Sequence, residues 1–184
     1  MKELSMKKFI ANLFVAIALT ISITTFVSAN SLSNIQIKSA INTAGTGMCM
    51  DVANGQTAPG TAIGQYPCHS GINQRFTFQT IVFDGQRIIK SNLNPNMCVG
   101  ITDNTQANSN TLLRLVPCFD STGDVPLGAR WYLDIVNGKE RIRAKLTSWD
   151  NFNTCIDVPS GLASPSLWLQ IYYCQTGGNQ QWIF

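Results

Sequence analysis

Six cysteines stand in three pairs, Cys49 and Cys68, Cys98 and Cys118, Cys155 and Cys174, with separations of 19, 20 and 19 residues. Six cysteines allow fifteen connectivities in principle. Near-equal spacing selects one of them, because a thrice-repeated unit carrying one internal bridge leaves this pattern. The sequence therefore predicts bridges Cys49–Cys68, Cys98–Cys118 and Cys155–Cys174. A zinc site is the competing use of clustered cysteines, but it needs close C-x-x-C pairs or histidine partners, and His69 is the sole histidine. No metal or other cofactor is expected.

The cysteines bring the rest of the repeat with them. Each first cysteine lies in a short apolar strand: Met48-Cys49-Met50-Asp51-Val52, Met97-Cys98-Val99-Gly100-Ile101 and Thr154-Cys155-Ile156-Asp157-Val158. After a turn-rich segment, a second strand ends in the second cysteine: Ala62 to Cys68, Leu112 to Cys118 and Trp168 to Cys174. A closing strand follows, containing Phe76, Trp131 or Trp182, and an alternating segment precedes each unit at Asn34–Ser39, Gln86–Ser91 and Glu140–Leu146. Four strands in each of three repeats, at about 34–82, 83–136 and 137–184, make twelve. Downstream of the first 29 residues no stretch has helical periodicity of useful length, whereas period-2 alternation and Gly, Asn and Pro turns recur, so the class is all-β. A propeller also uses four-stranded units but needs at least about four blades. Three units fit a single β-trefoil.

Lys7-Lys8, the uncharged apolar run Phe9 to Val27 and the small-residue ending Val27-Ser28-Ala29 read as a secretory signal peptide over 1–29, leaving 30–184 as the exported domain. A membrane anchor is the alternative, since the run is nearly long enough to span. The A-x-A-like ending and the polar Asn30-Ser31 flank favour cleavage. Export, with a secreted or periplasmic location, also puts the cysteines where bridges form and persist. The whole chain is formally +3, and loss of Lys2, Lys7, Lys8 and Glu3 leaves ten basic against nine acidic side chains, or +1. So small a charge gives no electrostatic case for nucleic acid or an anionic membrane as partner.

A Cys-x-Asp-Val strand, a second cysteine about twenty residues on and a Gln-x-Trp-like closing strand, in three registered copies, resemble the ricin-type B-chain lectins over essentially all of 34–184. The closing triplet is intact in Gln180-Gln181-Trp182; it is Gln74-Arg75-Phe76 in the first repeat and Ala129-Arg130-Trp131 in the second. Phe76, Trp131 and Trp182 are expected in the core, related by the pseudo-three-fold. The resemblance implies carbohydrate binding without catalysis. It assigns a hydroxyl-accepting carboxylate to the Asp after the first cysteine, a pyranose platform to the aromatic two residues before the second, and an amide to the Asn before the closing Gln.

The third repeat matches with Asp157, Gln170, Tyr172 and Asn179. The first offers Asp51, Tyr66, Asn73 and Gln74, with Gly64 where Gln170 stands in the third and Gln65 beside it facing the other side of the strand. The second has Gly100 for the Asp and Val116 for the aromatic, and is expected to bind no sugar. Taken singly, such an Asp caps turns, such a Tyr packs and such an Asn-Gln braces hairpins. Their joint presence in the first and third repeats and joint absence in the second is the signature of a site. The expected partners are galactose or N-acetylgalactosamine-type glycans on glycoproteins or glycolipids. The alternative is a non-catalytic cell-binding or assembly subunit of a bacterial toxin, such as a cytolethal distending toxin, partnered by an enzymatic subunit. His69 is read as a surface loop residue, and the polar-aromatic loop Trp149–Asn153 as a possible partner patch. Carboxylates are too sparse to suggest an acid/base pair.

Overall fold

The computed structural model describes residues 32–41, 45, 47–81, 85–102, 109–145 and 153–184. The candidate signal peptide over 1–29 and most of the Trp149–Asn153 loop lie outside them. The first repeat contains β1 (Lys38–Ser39), β2 (Met48–Val52), β3 (Ile63–Pro67) and β4 (Phe76–Thr80). The second contains β5 (Arg87–Ser91), β6 (Met97–Gly100), β7 (Thr111–Leu112), β8 (Arg114–Pro117) and β9 (Trp131–Val136). The third contains β10 (Lys139–Ala144), β11 (Thr154–Asp157), β12 (Leu167–Trp168), β13 (Gln170–Tyr173) and β14 (Trp182–Ile183). Fourteen segments replace the expected twelve because the third strand is interrupted at Leu113 and at Leu169. No α-helix occurs among the described residues, only short 3-10 turns such as Ala53–Gly55, Pro159–Gly161 and Gly178–Gln180.

First and last strands of the repeats alternate around a closed barrel. β4 pairs β5, β5 pairs β9, β9 pairs β10, β10 pairs β14, and β14 pairs β1. The Ile35–Phe76 bridge completes the circle. Closure leaves no barrel edge to template aggregation. The hairpins β2/β3, β6/β8 and β11/β13 form the cap.

The cap is joined at the pseudo-three-fold by a ring of three backbone hydrogen bonds. Ile63 N–H donates to Leu113 O at 3.1 Å, Leu113 N–H to Leu169 O at 2.9 Å, and Leu169 N–H to Ile63 O at 2.9 Å. Each of these residues stands five before the second cysteine of its repeat, and all three are wholly buried. In the second and third repeats the ring residue, Leu113 or Leu169, is the point at which the third strand is interrupted, while Ile63 begins β3 in the first.

Phe76, Trp131 and Trp182 are each 0 % exposed, as the repeat register requires. Burying a side chain of this size contributes about 2 to 3 kcal/mol. Trp131 also donates its indole N–H to Val99 O at 2.9 Å, which ties the closing strand to the first-cysteine strand. The three bridges are those predicted, Cys49–Cys68, Cys98–Cys118 and Cys155–Cys174. Each joins the two strands of one cap hairpin, so it fixes the register of the residues that flank it.

Candidate functional site

In the third repeat, antiparallel pairing sets Asp157 opposite Gln170, and Gln170 in turn opposite Leu112 of the second repeat. Asp157 Oδ2 accepts from Gln170 Nε2 at 2.8 Å, while Oδ1 accepts from Gln180 Nε2 at 3.1 Å and from Asn179 Nδ2 at 2.5 Å. Val158 N–H donates to Asn179 O at 2.9 Å, clamping the closing turn against the Asp157 strand. Asp157, Gln170, Tyr172 and Asn179 converge on one open pocket of about 430 Å³. Ser160 and Gln175 complete it from the same repeat, and Asn110 from the second.

In the first repeat the row is Asp51, Gly64 and Trp168 on three adjacent strands. Asp51 Oδ2 accepts from Asn73 Nδ2 at 2.8 Å and from Gln74 Nε2 at 2.9 Å. His69 Nε2 stands 3.7 Å from the same oxygen. Asp51 Oδ1 bonds to no protein group among the described residues, so it faces outward as a spare acceptor. Asp51, Tyr66 and Asn73 line a pocket of about 210 Å³ together with His69, Ser166 and Trp168.

Gln74 is placed differently from its companions. It is 0 % exposed and lies beneath Asp51, donating also to Pro67 O at 3.1 Å and accepting the His69 N–H at 2.8 Å. Gln180 does the same in the third repeat, donating to Tyr173 O at 2.9 Å and accepting the Gln175 N–H at 2.6 Å. Each closing Gln is a strut that holds the carboxylate up from below.

Burial raises the carboxyls of both Asp51 and Asp157 above the ordinary aspartate range. For Asp51 the opposing pulls come from the Gln74 hydrogen bond, then the His69 charge interaction, then Asn73; for Asp157 they come from Gln170, Gln180 and Asn179. Desolvation wins because both side chains are almost wholly buried.

The second repeat has the corresponding row Gly100, Arg114 and Ala62. A Cβ on Gly100 would stand 2.6 Å from Val116 Cγ2 and 2.8 Å from Gly128 O. Val116 is itself buried. Where the other repeats hold carboxylate, aromatic and amide, this one is packed shut.

Two kinds of residue escaped the sequence reading. His69 is not a plain loop residue, because it borders the first pocket and meets the Tyr66 ring edge-on at 6.0 Å. Its Nδ1 accepts the Gly71 N–H at 3.0 Å, which leaves Nε2, turned toward Asp51, as the donor nitrogen. The signal was positional, since His69 and Gln175 each follow the second cysteine of their repeat and both reach a rim. The other kind crosses between repeats. Asn110 and Ser166 are three-fold equivalents in left-handed turns, at φ of 77° and 59°, and each enters the pocket of a neighbouring repeat. Nothing within a single repeat announces that.

The ricin-type β-trefoil lectin domain model matches residues 38–182. No curated protein sequence matches the chain. Among solved structures, the Macrolepiota procera ricin B-like lectin in complex with lactose is 22 % identical, covering 82 % of this chain and 94 % of that one, with a TM-score of 0.56. The C-half of the earthworm R-type lectin in complex with GalNAc is also 22 % identical, covering 82 % and 96 %, with a TM-score of 0.56. A mosquitocidal holotoxin is 16 % identical with a TM-score of 0.66, covering 82 % of this chain but 17 % of the holotoxin. At these identities the solved structures speak for the fold, while the matched span speaks for the lineage: this chain belongs to the ricin-type β-trefoil lectin family.

Proposed function

We propose that this protein is an exported lectin that binds galactose or N-acetylgalactosamine-type glycans through its third and first repeats and performs no catalysis. The observation that carries the reading is the convergence of Asp157, Gln170, Tyr172 and Asn179 on one open polar pocket. A pyranose has an apolar face and a rim of hydroxyls. Tyr172 offers the ring for that face, and the Asp157 carboxylate, bonded to Asn179 and Gln180 at Oδ1 and to Gln170 at Oδ2, offers its remaining Oδ2 position to a hydroxyl proton in a charge-assisted bond. Asn179 and Gln170 are tied to the carboxylate, which fixes its orientation before any ligand arrives. The first repeat repeats the scheme with Asp51, Tyr66 and Asn73, with Gln74 as the strut beneath. Lactose and GalNAc in the two lectins compared above support the choice of sugar class. Export rests on the sequence of residues 1–29 alone.

Shallow pockets of this kind bind weakly, near millimolar or about 4 kcal/mol, so firm attachment needs both sites on a multivalent surface. Such attachment also suits a second setting, delivery of a toxin enzyme to a glycan-coated surface, favoured by the placement of a like trefoil within the holotoxin.

The test is glycan binding, by calorimetry and on immobilised glycoprotein, for Asp51→Ala, Asp157→Ala and the double variant, with thermal melts as the folding control. Asp157→Ala is expected to lose about 2 kcal/mol at its own site, since it leaves ligand hydroxyls without a charged acceptor. The double variant should keep its fold and lose attachment. Binding by the folded double variant at the wild-type level would put the sites elsewhere.

A further inference from the structure

The first-repeat pocket departs from the third at one position. Gln170 of the third repeat bonds Asp157, but the equivalent position in the first is Gly64, which has no side chain. The space is filled from another repeat. A Cβ on Gly64 would stand 2.8 Å from Trp168 Cε3 and 3.1 Å from Cζ3, so the indole of Trp168 lies directly over the glycine. Backbone pairing of Trp168 with Gly64, and of Leu167 with Gln65, holds it there. The Gln65 amide adds a clamp by donating to Leu162 O at 2.6 Å and Ser164 O at 3.0 Å, on the loop that leads into Trp168.

Trp168 remains 40 % exposed, and Tyr66, two residues along the strand from Gly64, is 45 % exposed. Both border the same pocket. The Trp168 indole N–H bonds to no protein group among the described residues. An aromatic this large, held rigidly beside a carboxylate and left half bare, has the properties of a stacking surface. The third-repeat pocket has no counterpart, since the residue equivalent to Trp168 there is Leu112.

Resting on the lectin reading above, we infer that the first-repeat pocket takes two adjacent sugar rings, the terminal one at Asp51 and Tyr66 and the next one stacked on Trp168. The two sites then differ in kind, because the third repeat reads one ring through an extra amide and the first reads a disaccharide through an extra aromatic. Gly64 is the enabling position, as any side chain there would push the indole away.

The experiment isolates the first pocket in an Asp157→Ala background and measures affinity for lactose and for methyl β-galactoside, with Trp168→Ala and Trp168→Phe added in turn. Trp168→Ala should weaken lactose binding about tenfold and leave methyl β-galactoside within twofold, erasing the preference for the disaccharide. Trp168→Phe should restore most of the lactose affinity, which a purely structural role would not require. Equal losses for both sugars would make Trp168 a wall for the terminal ring and overturn the inference, as would unchanged lactose binding. If the wild-type protein binds neither sugar, the galactoside reading falls first and this one with it. Thermal melts of every variant separate loss of binding from loss of fold.

Discussion

Gln180 and Asp157 are joined under the third-repeat pocket by a bond from a wholly buried amide to a carboxylate, Nε2 to Oδ1 at 3.1 Å. The same amide spans to Tyr173 O and to the Gln175 N–H, so one side chain ties the pocket floor, the end of β13 and the rim together. The Gln of the closing motif is thereby a positioning residue, and Trp182, two residues later, anchors it to the core.

Removing that strut has two expected consequences. Gln180→Ala leaves a buried carboxylate oxygen short of a donor and a backbone N–H short of an acceptor, costing about 1 to 3 kcal/mol of stability. It should also weaken glycan binding at the third site, because Asp157 loses its lower support. Urea melts check the first and calorimetry in an Asp51→Ala background the second. A variant as stable as the wild type would mean that the strut bonds contribute nothing net.

Acid is expected to act oppositely on the contribution of Asp51 and Asp157 to folding and on sugar binding. Folded-state values of Asp51 and Asp157 above the unfolded one mean that the folded chain holds protons which the unfolded chain has released. The contribution of these groups to stability is therefore most favourable below the unfolded aspartate value and weakens as pH rises through the raised value. Sugar hydroxyls need the ionised carboxylate, so affinity should fall as pH drops through that same window, before ordinary surface aspartates titrate. Calorimetric titrations from neutral into acid, paired with melts, read both trends. Affinity that stays flat until the protein unfolds would remove the carboxylates from the binding chemistry.

Restoring the missing Asp should not restore the second site. Gly100→Asp places a Cβ within 2.8 Å of both Val116 Cγ2 and Gly128 O, one of them backbone that cannot easily give. Overpacking of this kind costs about 1 to 3 kcal/mol, and the variant should gain no glycan binding. Three-site binding stoichiometry in Gly100→Asp would show that this repeat lacks only a carboxylate, and that its packing can open.

The three-fold plan was legible because it is written in local periods. Cysteines at 19, 20 and 19 residues, strands with period 2 and an aromatic in each closing strand determine the bridges, the all-β class and the buried triad of Phe76, Trp131 and Trp182. The grouping of Asp157, Gln170, Tyr172 and Asn179 was legible for the same reason, since one bridge and one hairpin hold them within a single repeat. What the sequence hid is whatever passes between repeats. The Ile63, Leu113 and Leu169 ring brings strand ends 50, 56 and 106 residues apart into hydrogen-bond contact. Through it Asn110 enters the third pocket and Trp168 covers Gly64 in the first. Burial decided the rest, turning Gln74 from an apparent rim amide into a strut beneath Asp51 and raising both carboxyls. Periodicity along the chain specifies which residues share a hairpin, but only closure of the barrel around its axis decides which hairpin faces the next.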